Sequence, residues 1–302
     1  MSVAVPRIRV GEPVCHQALS IFPLFSDSKG GVDYRLSDEA LADESLIVEE
    51  TSESGSVPEL LVENKGDTLV LFIEGEELIG AKQNRILNTS VLIAAKSKVK
   101  IPVSCVEQGR WGYRSRRFHS SGSHSPSRLR YALKRSVSGS TRSGRGHRSN
   151  QGEVWDCVAA CLSTHDVASP TGAMSEAFEA VEARTSDFRS ELKYVEGATG
   201  VAVAIGKQVV ALDVFDRPST CQKVWDRLMS GCILDSLHAE PDEDRADAAD
   251  VERLVQSADE ADWQQVQPVG EGEEYRAEFA EDHASALSFG DNLVHASVVA
   301  SV

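Results

Sequence analysis

VPELLVENKGDTLVLFIEGEELIGAKQNRILN, residues 57–88, is the stretch that decides the expected fold. Residues 59–63 and 68–73 are predicted strands, joined by the turn Asn64-Lys65-Gly66-Asp67, in which Gly66 supplies a positive φ. Strand-like runs continue at 85–95 and 98–107, each bounded by turn signals. Short strands at this spacing predict an antiparallel sandwich or barrel, and we assign residues 1–112 to it.

Residues 151–302 show helical spacing first and alternating spacing later. A helix is predicted from Glu153, a second from Ser169-Pro170, and a third around Trp225 that ends near Gly231. An acidic amphipathic helix is expected over 244–257. The strand signals are a hairpin over 201–211 and three runs near 274–279, 284–289 and 293–299. The chain is therefore predicted to be one integrated α+β domain, with a sandwich- or barrel-like first half packed against a helix-plus-hairpin second half.

Charge is distributed unevenly along the chain. The net charge is −16, but the region between Glu107 and Glu153 holds eleven cations and no acid. Removing those eleven from the 31 Lys and Arg leaves 20 against 47 acids, a net charge of −27 for the remainder. Residues 113–150 are rich in Ser, Gly and Arg, which predicts a mobile loop that is able to order on an anionic partner. A contact of this loop with the acidic residues 235–282, within or between subunits, would support a homo-oligomer.

Composition excludes several classes of protein. The chain has 302 residues with 41% hydrophobic residues, enough for a substantial core. It has no apolar run long enough to span a membrane and no apolar signal core near its start, so we expect a cytoplasmic protein without membrane contact. Six cysteines occur without a CxxC pair, so no metal site is predicted.

The densest chemistry lies in E-G-E-E-L-I-G-A-K-Q-N-R, residues 74–85. Lys82 and Arg85 are candidates for holding a phosphate or carboxylate, and the amides of Gln83 and Asn84 for orienting it. Glu76 is a candidate general base. Glu74 is a further motif residue, and Gly75 and Gly80 bracket the acids where a bulge or a close backbone approach is expected. The alternative is a solvated hairpin end whose charges pair with one another.

P-V-S-C-V-E-Q-G-R-W, residues 102–111, supplies a second group. Glu107 is a candidate acid–base or metal-binding carboxylate, although no metal is assigned, and Arg110 is a candidate ligand contact. Cys105 is interpreted as a core thiol and Trp111 as a packing residue. His295 lies in the apolar strand NLVHASVVA and is either a structural histidine or a proton carrier that faces a cleft.

The stretches VPELLVEN, EGEELIGAKQNRILN and IPVSCVEQGRW resemble an uncharacterised prokaryotic family, the ADP-ribosylglycohydrolase (ARG) and rhodanese-phosphatase-superfamily-associated protein domain. The resemblance implies a nucleotide-derived ligand related to ADP-ribose or NAD, but no reaction and no cofactor.

Three functions remain open at this point. The first is an enzyme or enzyme-like pocket for a small phosphorylated or nucleotide-derived anion. The second is a non-catalytic module that senses a nucleotide or docks a partner. The third is a nucleic-acid contact through residues 110–148, which the acidic remainder opposes.

Overall fold

The computed structural model describes residues 6–28, 30–240 and 244–301. The strands that precede the first long helix are β1 (Ile8–Val10), β2 (Val14–His16), β3 (Leu19–Ser26), β4 (Tyr34–Leu36), β5 (Leu46–Glu50), β6 (Glu59–Asn64), β7 (Leu69–Phe72), β8 (Glu76–Gly80), β9 (Arg85–Leu87), β10 (Val91–Ile93), β11 (Ser97–Cys105) and β12 (Phe118–His124). The later strands are β13 (Gly200–Ile205), β14 (Gln208–Phe215), β15 (Gln264–Val266), β16 (Glu273–Phe279), β17 (Asp282–Phe289) and β18 (Asn292–Val299). The helices are α1 (Ser37–Ala42), α2 (Ser127–Arg142), α3 (Gln151–Thr164), α4 (Ser175–Glu191), α5 (Pro218–Ser236) and α6 (Ala248–Asp259).

Six antiparallel strands form a barrel in the first half, in the order β12-β8-β9-β11-β6-β5. A bridge between Glu49 and Arg117 brings the outer strands β5 and β12 together and closes the sheet on itself. Alternate residues of every strand point inward and form one apolar core, which includes Val48, Val62, Leu78, Leu87, Val103 and Phe118. The prediction of an α+β chain with a barrel-like first half is confirmed.

The predicted hairpin over residues 59–73 is wrong. Strand β6 pairs with β5 and β11, so neither of its edges is free for β7. Strand β7 instead forms a separate sheet, antiparallel to β10 and parallel to β4, and contributes Val70 and Phe72 to the core of the barrel. Gly66 does not have the positive φ expected of it.

A nine-stranded antiparallel sheet organises the second half. Its order is β1-β3-β13-β14-β18-β17-β16-β15, with β2 on the edge of β3. The hairpin β13–β14 and the three final strands lie where the sequence predicts them. Helix α5 packs on one face of this sheet and α6 on the other. Because β1 to β3 come from the first 26 residues, the start of the chain pairs with the second half.

Three helix boundaries differ clearly from the sequence expectation. Helix α6 begins at Ala248, four residues after the expected start. Helix α4 begins at Ser175 instead of at Ser169-Pro170, because Ala173 forms a bridge with Glu107 and Thr171 accepts a hydrogen bond from the Gly109 amide. Helix α5 continues past Gly231 to Ser236. A methyl group at Gly231 would lie 2.5 Å from the Ser125 carbonyl oxygen, so this glycine allows close helix packing and does not end the helix.

The basic segment 113–150 is not the loop that its composition predicts. It contains β12 and the four-turn helix α2, whose buried face includes Leu129, Leu133 and Val137. The spacing of these three residues is helical, and the buried cations between them, Arg130 and Lys134, pair with the distant acids Asp213 and Glu74. No helix in the described ranges is long and apolar enough to cross a membrane.

Gly231→Ala tests the close packing of α5 on the segment that follows β12. The added methyl group meets backbone atoms, which cannot turn away, so we expect the free energy of unfolding in urea to fall by about 1–3 kcal/mol. The matched control is Gly139→Ala in α2, where no atom lies within 4 Å of the new methyl group. This control should be neutral or stabilise by about 0.5–1 kcal/mol. Equal effects in the two variants would contradict the packing argument.

Candidate functional site

One end of the barrel interior is polar. Side chains two residues apart on a strand lie on the same face of the sheet. Glu50, Arg85 and Cys105 are each two residues from a core residue (Val48, Leu87 and Val103), so all three point into the barrel. Cys105 is registered against Arg85, so the three polar side chains meet at the same end, which we name the barrel mouth. The apolar core fills the rest of the barrel, which leaves this end for chemistry.

Arg85 is fully buried at the mouth, with 0% of its surface exposed. Its Nη1 donates to Gln83 Oε1 at 3.0 Å, and its Nη2 lies 3.9 Å from Glu50 Oε1. Arg85 Nε and Nη2 and Glu50 Oε2 have no hydrogen-bond partner among the described residues. Burial lowers the pKa of Arg85, although Cys105 and Glu50 oppose that change. Because an incompletely bonded buried charge is costly, this pair marks a place where a further polar group is expected.

A cavity of about 550 Å³ adjoins the mouth, lined by Glu49, Glu50, Ser52, Glu53, Tyr113 and Arg116. Tyr113, one of its lining residues, is 48% exposed, and Trp111, two residues earlier, is 51% exposed. The Lys82 ammonium lies 5.1 Å from each of these rings and donates to the Glu53 carbonyl at 2.6 Å. The interpretation of Trp111 as a packing residue is wrong, because half of its surface is exposed and its ring faces a cation.

Residues 51–58, between β5 and β6, cover the mouth. Gly55 has φ +76°, and a methyl group there would lie 3.2 Å from Lys82 Cδ and 3.3 Å from both Glu50 Oε2 and Trp111 Cζ2. Its backbone therefore rests directly on the unpartnered Glu50 oxygen. This covering segment lies over Glu50 Oε2, and its residues Ser52 and Glu53 line the cavity together with Glu50.

Glu107 holds the loop that carries Lys82 to Arg85. Its carboxylate accepts from the Asn84 amide at 3.0 Å, from Arg110 Nε and Nη2 at 2.7 and 2.6 Å, and from Thr171 at 3.0 Å. Burial opposes ionisation of Glu107, but the hydrogen bonds from Arg110 and Asn84 lower its pKa overall. Gln83 donates to the Glu107 carbonyl at 2.8 Å, and Asn84 Oδ1 accepts from Arg110 at 3.2 Å. The geometry suits a carboxylate that positions Arg85 and does not exchange protons.

Cys105 is a buried thiol, as the sequence predicts. Burial raises its pKa, although Arg85 opposes the rise. Its Sγ donates to the Glu107 carbonyl at 3.4 Å. The protonated thiol is therefore part of the floor of the mouth and a poor nucleophile.

Glu74 and His295 lie away from the mouth, in a buried polar layer between α2 and the nine-stranded sheet. Glu74 pairs with Lys134 at 2.7 Å, and Lys134 also donates to Ser285 at 2.6 Å. Burial lowers the pKa of Lys134 to about 8, against the opposing effect of Glu74. The Glu74 amide donates to Ser90 Oγ at 2.9 Å, which continues the layer toward His295.

Asp213 is the second acid of this layer. Arg130 donates to both of its oxygens, at 2.9 and 2.7 Å, and His295 Nε2 lies 3.2 Å from Oδ1. Burial opposes ionisation, but Arg130 holds the pKa of Asp213 far below its usual range. His295 Nδ1 contacts Ser90 Oγ at 2.9 Å. Both ring nitrogens of His295 are thus engaged inside the protein.

The remaining motif residues, Glu76, Gly75 and Gly80, make packing and hydrogen-bond contacts inside the protein. Glu76 accepts from Ser37 at 2.6 Å and pairs with Arg227 at 2.9 Å, and burial raises its pKa. Gly75 and Gly80 have φ +84° and +129°, and a methyl group at either position would meet a neighbouring atom at 2.6 Å. Both glycines therefore allow the close approach that the sequence suggests.

The structure divides the predicted site residues into groups. Those at or supporting the mouth are Lys82, Gln83, Asn84, Arg85, Cys105, Glu107, Arg110 and Trp111. Glu74 and His295 belong to the buried layer, and Glu76 lies between α1 and α5. Glu50 and Tyr113 are not among the site residues that the sequence predicts. Glu50 has a detectable signal, because it follows the inward-facing Leu46 and Val48 in the run LIVEE.

No three His, Cys, Asp or Glu side chains converge on a metal-binding point within residues 6–28, 30–240 and 244–301.

Comparison with known proteins gives one match. A sequence model of the ARG and Rhodanese-Phosphatase-superfamily-associated Protein domain matches residues 7–299. No curated protein and no solved structure matches the chain.

A double-mutant cycle on Glu74 and Lys134 tests whether the buried layer holds the barrel, α2 and the sheet together. Glu74→Gln or Lys134→Met leaves one buried charge without its partner, so each variant should lose about 3–5 kcal/mol of unfolding free energy at pH 7. The double variant should lose clearly less than the sum of the two, with a coupling of about 1–3 kcal/mol.

The control is the exposed pair Glu59–Lys100, at 3.3 Å, studied as Glu59→Gln and Lys100→Met. Solvent screening should keep its coupling at or below about 1 kcal/mol. A buried coupling no larger than that of the exposed pair would show that the layer does not carry the docking.

Proposed function

The chain belongs to the ARG and Rhodanese-Phosphatase-superfamily-associated Protein domain family, and we propose that its barrel mouth is an enzyme-like pocket acting on a small phosphorylated, nucleotide-derived molecule. The main support for the proposal is the incompletely hydrogen-bonded Glu50–Arg85 pair beside a cavity that is lined by the exposed ring of Tyr113. The cavity volume falls within the range of about 300–1,000 Å³ that small-molecule sites occupy.

The cavity wall offers three kinds of contact. The Tyr113 ring provides an exposed flat surface on which a base can stack. Arg116 lines the cavity and forms no ion pair or side-chain hydrogen bond with any described residue, so its guanidinium group is available to a phosphate. Arg114, two residues earlier, is exposed. Glu50 and Ser52 offer acceptors to ribose hydroxyls or ring N–H groups.

Charge sets the orientation of the ligand. Glu49, Glu50 and Glu53 line the cavity against the single cation Arg116, so a phosphate placed deep inside would meet acids. We expect the phosphate at the rim, near Arg114 and Arg116, and the uncharged part of the ligand near Glu50. This modifies the sequence expectation for Lys82 and Arg85. Lys82 is held by Glu53 and the two rings, and Arg85 lies behind Glu50.

Glu50 is the best placed proton acceptor in this arrangement. Its Oε1 accepts from the Lys82 amide at 3.3 Å and lies near Arg85, while Oε2 is unpartnered. A carboxylate with one oxygen held and the other free can take a proton from a ligand hydroxyl or from water. The covering segment 51–58 has to move for a ligand to reach that oxygen.

A non-catalytic, nucleotide-sensing pocket is the second candidate. It is favoured by the surroundings of Glu107, whose carboxylate is already bonded to Arg110, Asn84 and Thr171, and by the distance of His295 from the mouth in the fold. Retained binding with lost turnover in Glu50→Gln would favour the enzyme. The nucleic-acid hypothesis loses support because α2 buries Arg130 and Lys134 against acids.

Binding of AMP and of ADP-ribose, measured by calorimetry on the full chain, tests the proposal. We expect at least one of the two to bind. Tyr113→Ala and Arg116→Ala should each weaken its binding at least about tenfold, or 1.4 kcal/mol. Both side chains are exposed, so their melting temperatures should stay close to that of the wild type.

The matched control is Arg253→Ala on the exposed face of α6, which should leave the affinity unchanged. Absence of binding by both nucleotides, or equal affinity in wild type and Tyr113→Ala, would contradict the proposal.

A further inference from the structure

Two histidines meet where α3 and α5 end. His165 is the C-terminal cap of α3, and His238 follows the last residue of α5 by two positions. His165 Nδ1 and His238 Nε2 are 3.1 Å apart, and the ring centroids are 4.7 Å apart at an interplanar angle of 61°. These residues are far apart in the sequence, so the contact joins two separate helices.

The spacing of the two nitrogens matches that of two ligands on one metal ion. Zinc–imidazole bonds of 2.0–2.1 Å at a tetrahedral angle place the nitrogens about 3.3 Å apart. The two nitrogens are 3.1 Å apart, so a small outward shift of either ring would bring them to the spacing of two zinc ligands. A neutral hydrogen-bonded pair gives the same distance, so the surroundings and the experiment decide between the two.

The two helix ends favour a cation. Both rings lie at the carbonyl ends of helices, where the aligned peptide dipoles stabilise positive charge. Burial lowers the pKa of His165, with further lowering by His238 and Arg184 and an opposing effect of Asp166. Neutral imidazole is the form of histidine that binds metals. His165 also lines a cavity of about 110 Å³, together with Cys161, Asp235 and Arg128.

We propose that His165 and His238 form a binding site for a borderline divalent cation such as Zn²⁺, with solvent in the other coordination positions. Imidazole nitrogen is a preferred ligand of these ions. The site is separate from the barrel mouth and does not depend on the function proposed for the mouth. A bound cation connects the end of α3 to the end of α5. Because it binds only the folded chain, it raises the free energy of unfolding.

The test uses tag-free, EDTA-treated full-length protein titrated with ZnCl₂, with binding followed by calorimetry and stability by urea unfolding. We expect one Zn²⁺ per chain and a rise in the urea midpoint as Zn²⁺ increases. His165→Asn and His238→Asn should each weaken binding at least tenfold and abolish the rise. Without Zn²⁺ their midpoints should stay near that of the wild type, because this contact is largely exposed.

His119→Asn is the matched control, since His119 is an exposed histidine on β12 outside the pair. It should keep both the stoichiometry and the stabilisation. Absence of Zn²⁺ binding by the wild type, or unchanged binding in the double variant His165→Asn/His238→Asn, would overturn the site and leave a neutral hydrogen-bonded pair.

Discussion

The ion pairs Glu74–Lys134 and Asp213–Arg130, buried between α2 and the nine-stranded sheet, are the interactions on which the rest of the structure depends. Glu74 belongs to the barrel half, Asp213 to the sheet, and both cations to α2. A buried charge without a partner is strongly destabilising, so the three parts have to meet in one relative position. The Ser90–His295 contact and the Lys134–Ser285 bond extend the same layer. Each acid of the layer is paired with a cation of α2, which explains why Glu74 and His295 serve the architecture more than the ligand site.

At the mouth of the barrel, the charged pair is less closely bonded, with Arg85 Nη2 and Glu50 Oε1 3.9 Å apart. Strand alternation that supplies Val48, Leu87 and Val103 to the core also supplies Glu50, Arg85 and Cys105 to one end, where apolar packing stops. Glu107 and Arg110 fix the loop that carries Arg85, yet Arg85 and Glu50 keep atoms without partners. Arg130 Nε in the buried layer also lacks a hydrogen-bond partner, so what distinguishes the mouth is that Glu50 lines a cavity of about 550 Å³. This difference locates the candidate site, which motif content alone does not.

The barrel and the final hairpins could be predicted because alternating apolar residues and glycine turns are local signals. The association of Lys82, Gln83, Asn84, Arg85 and Arg110 was also predictable, since these residues cluster in the sequence. Glu50 was missed because β5 and β9 are not adjacent in the sheet. Glu50 and Arg85 meet only inside the closed barrel. Helix α2 was missed because its composition resembles a loop, although Leu129, Leu133 and Val137 carry the helical period. Its cations find acids only in the tertiary structure, so their burial is not visible in the sequence.

Hydrogen–deuterium exchange with and without saturating AMP or ADP-ribose tests most directly whether the mouth is the ligand site. We predict slower exchange in residues 51–58 and 111–117 when the nucleotide is bound, because the covering segment and the segment that carries Tyr113 and Arg116 both contact it. Exchange in α2, residues 127–142, should stay the same, since its charges are already paired. Protection confined to α2 and the nine-stranded sheet, with residues 51–58 unaffected, would contradict the account and move the site into the buried layer.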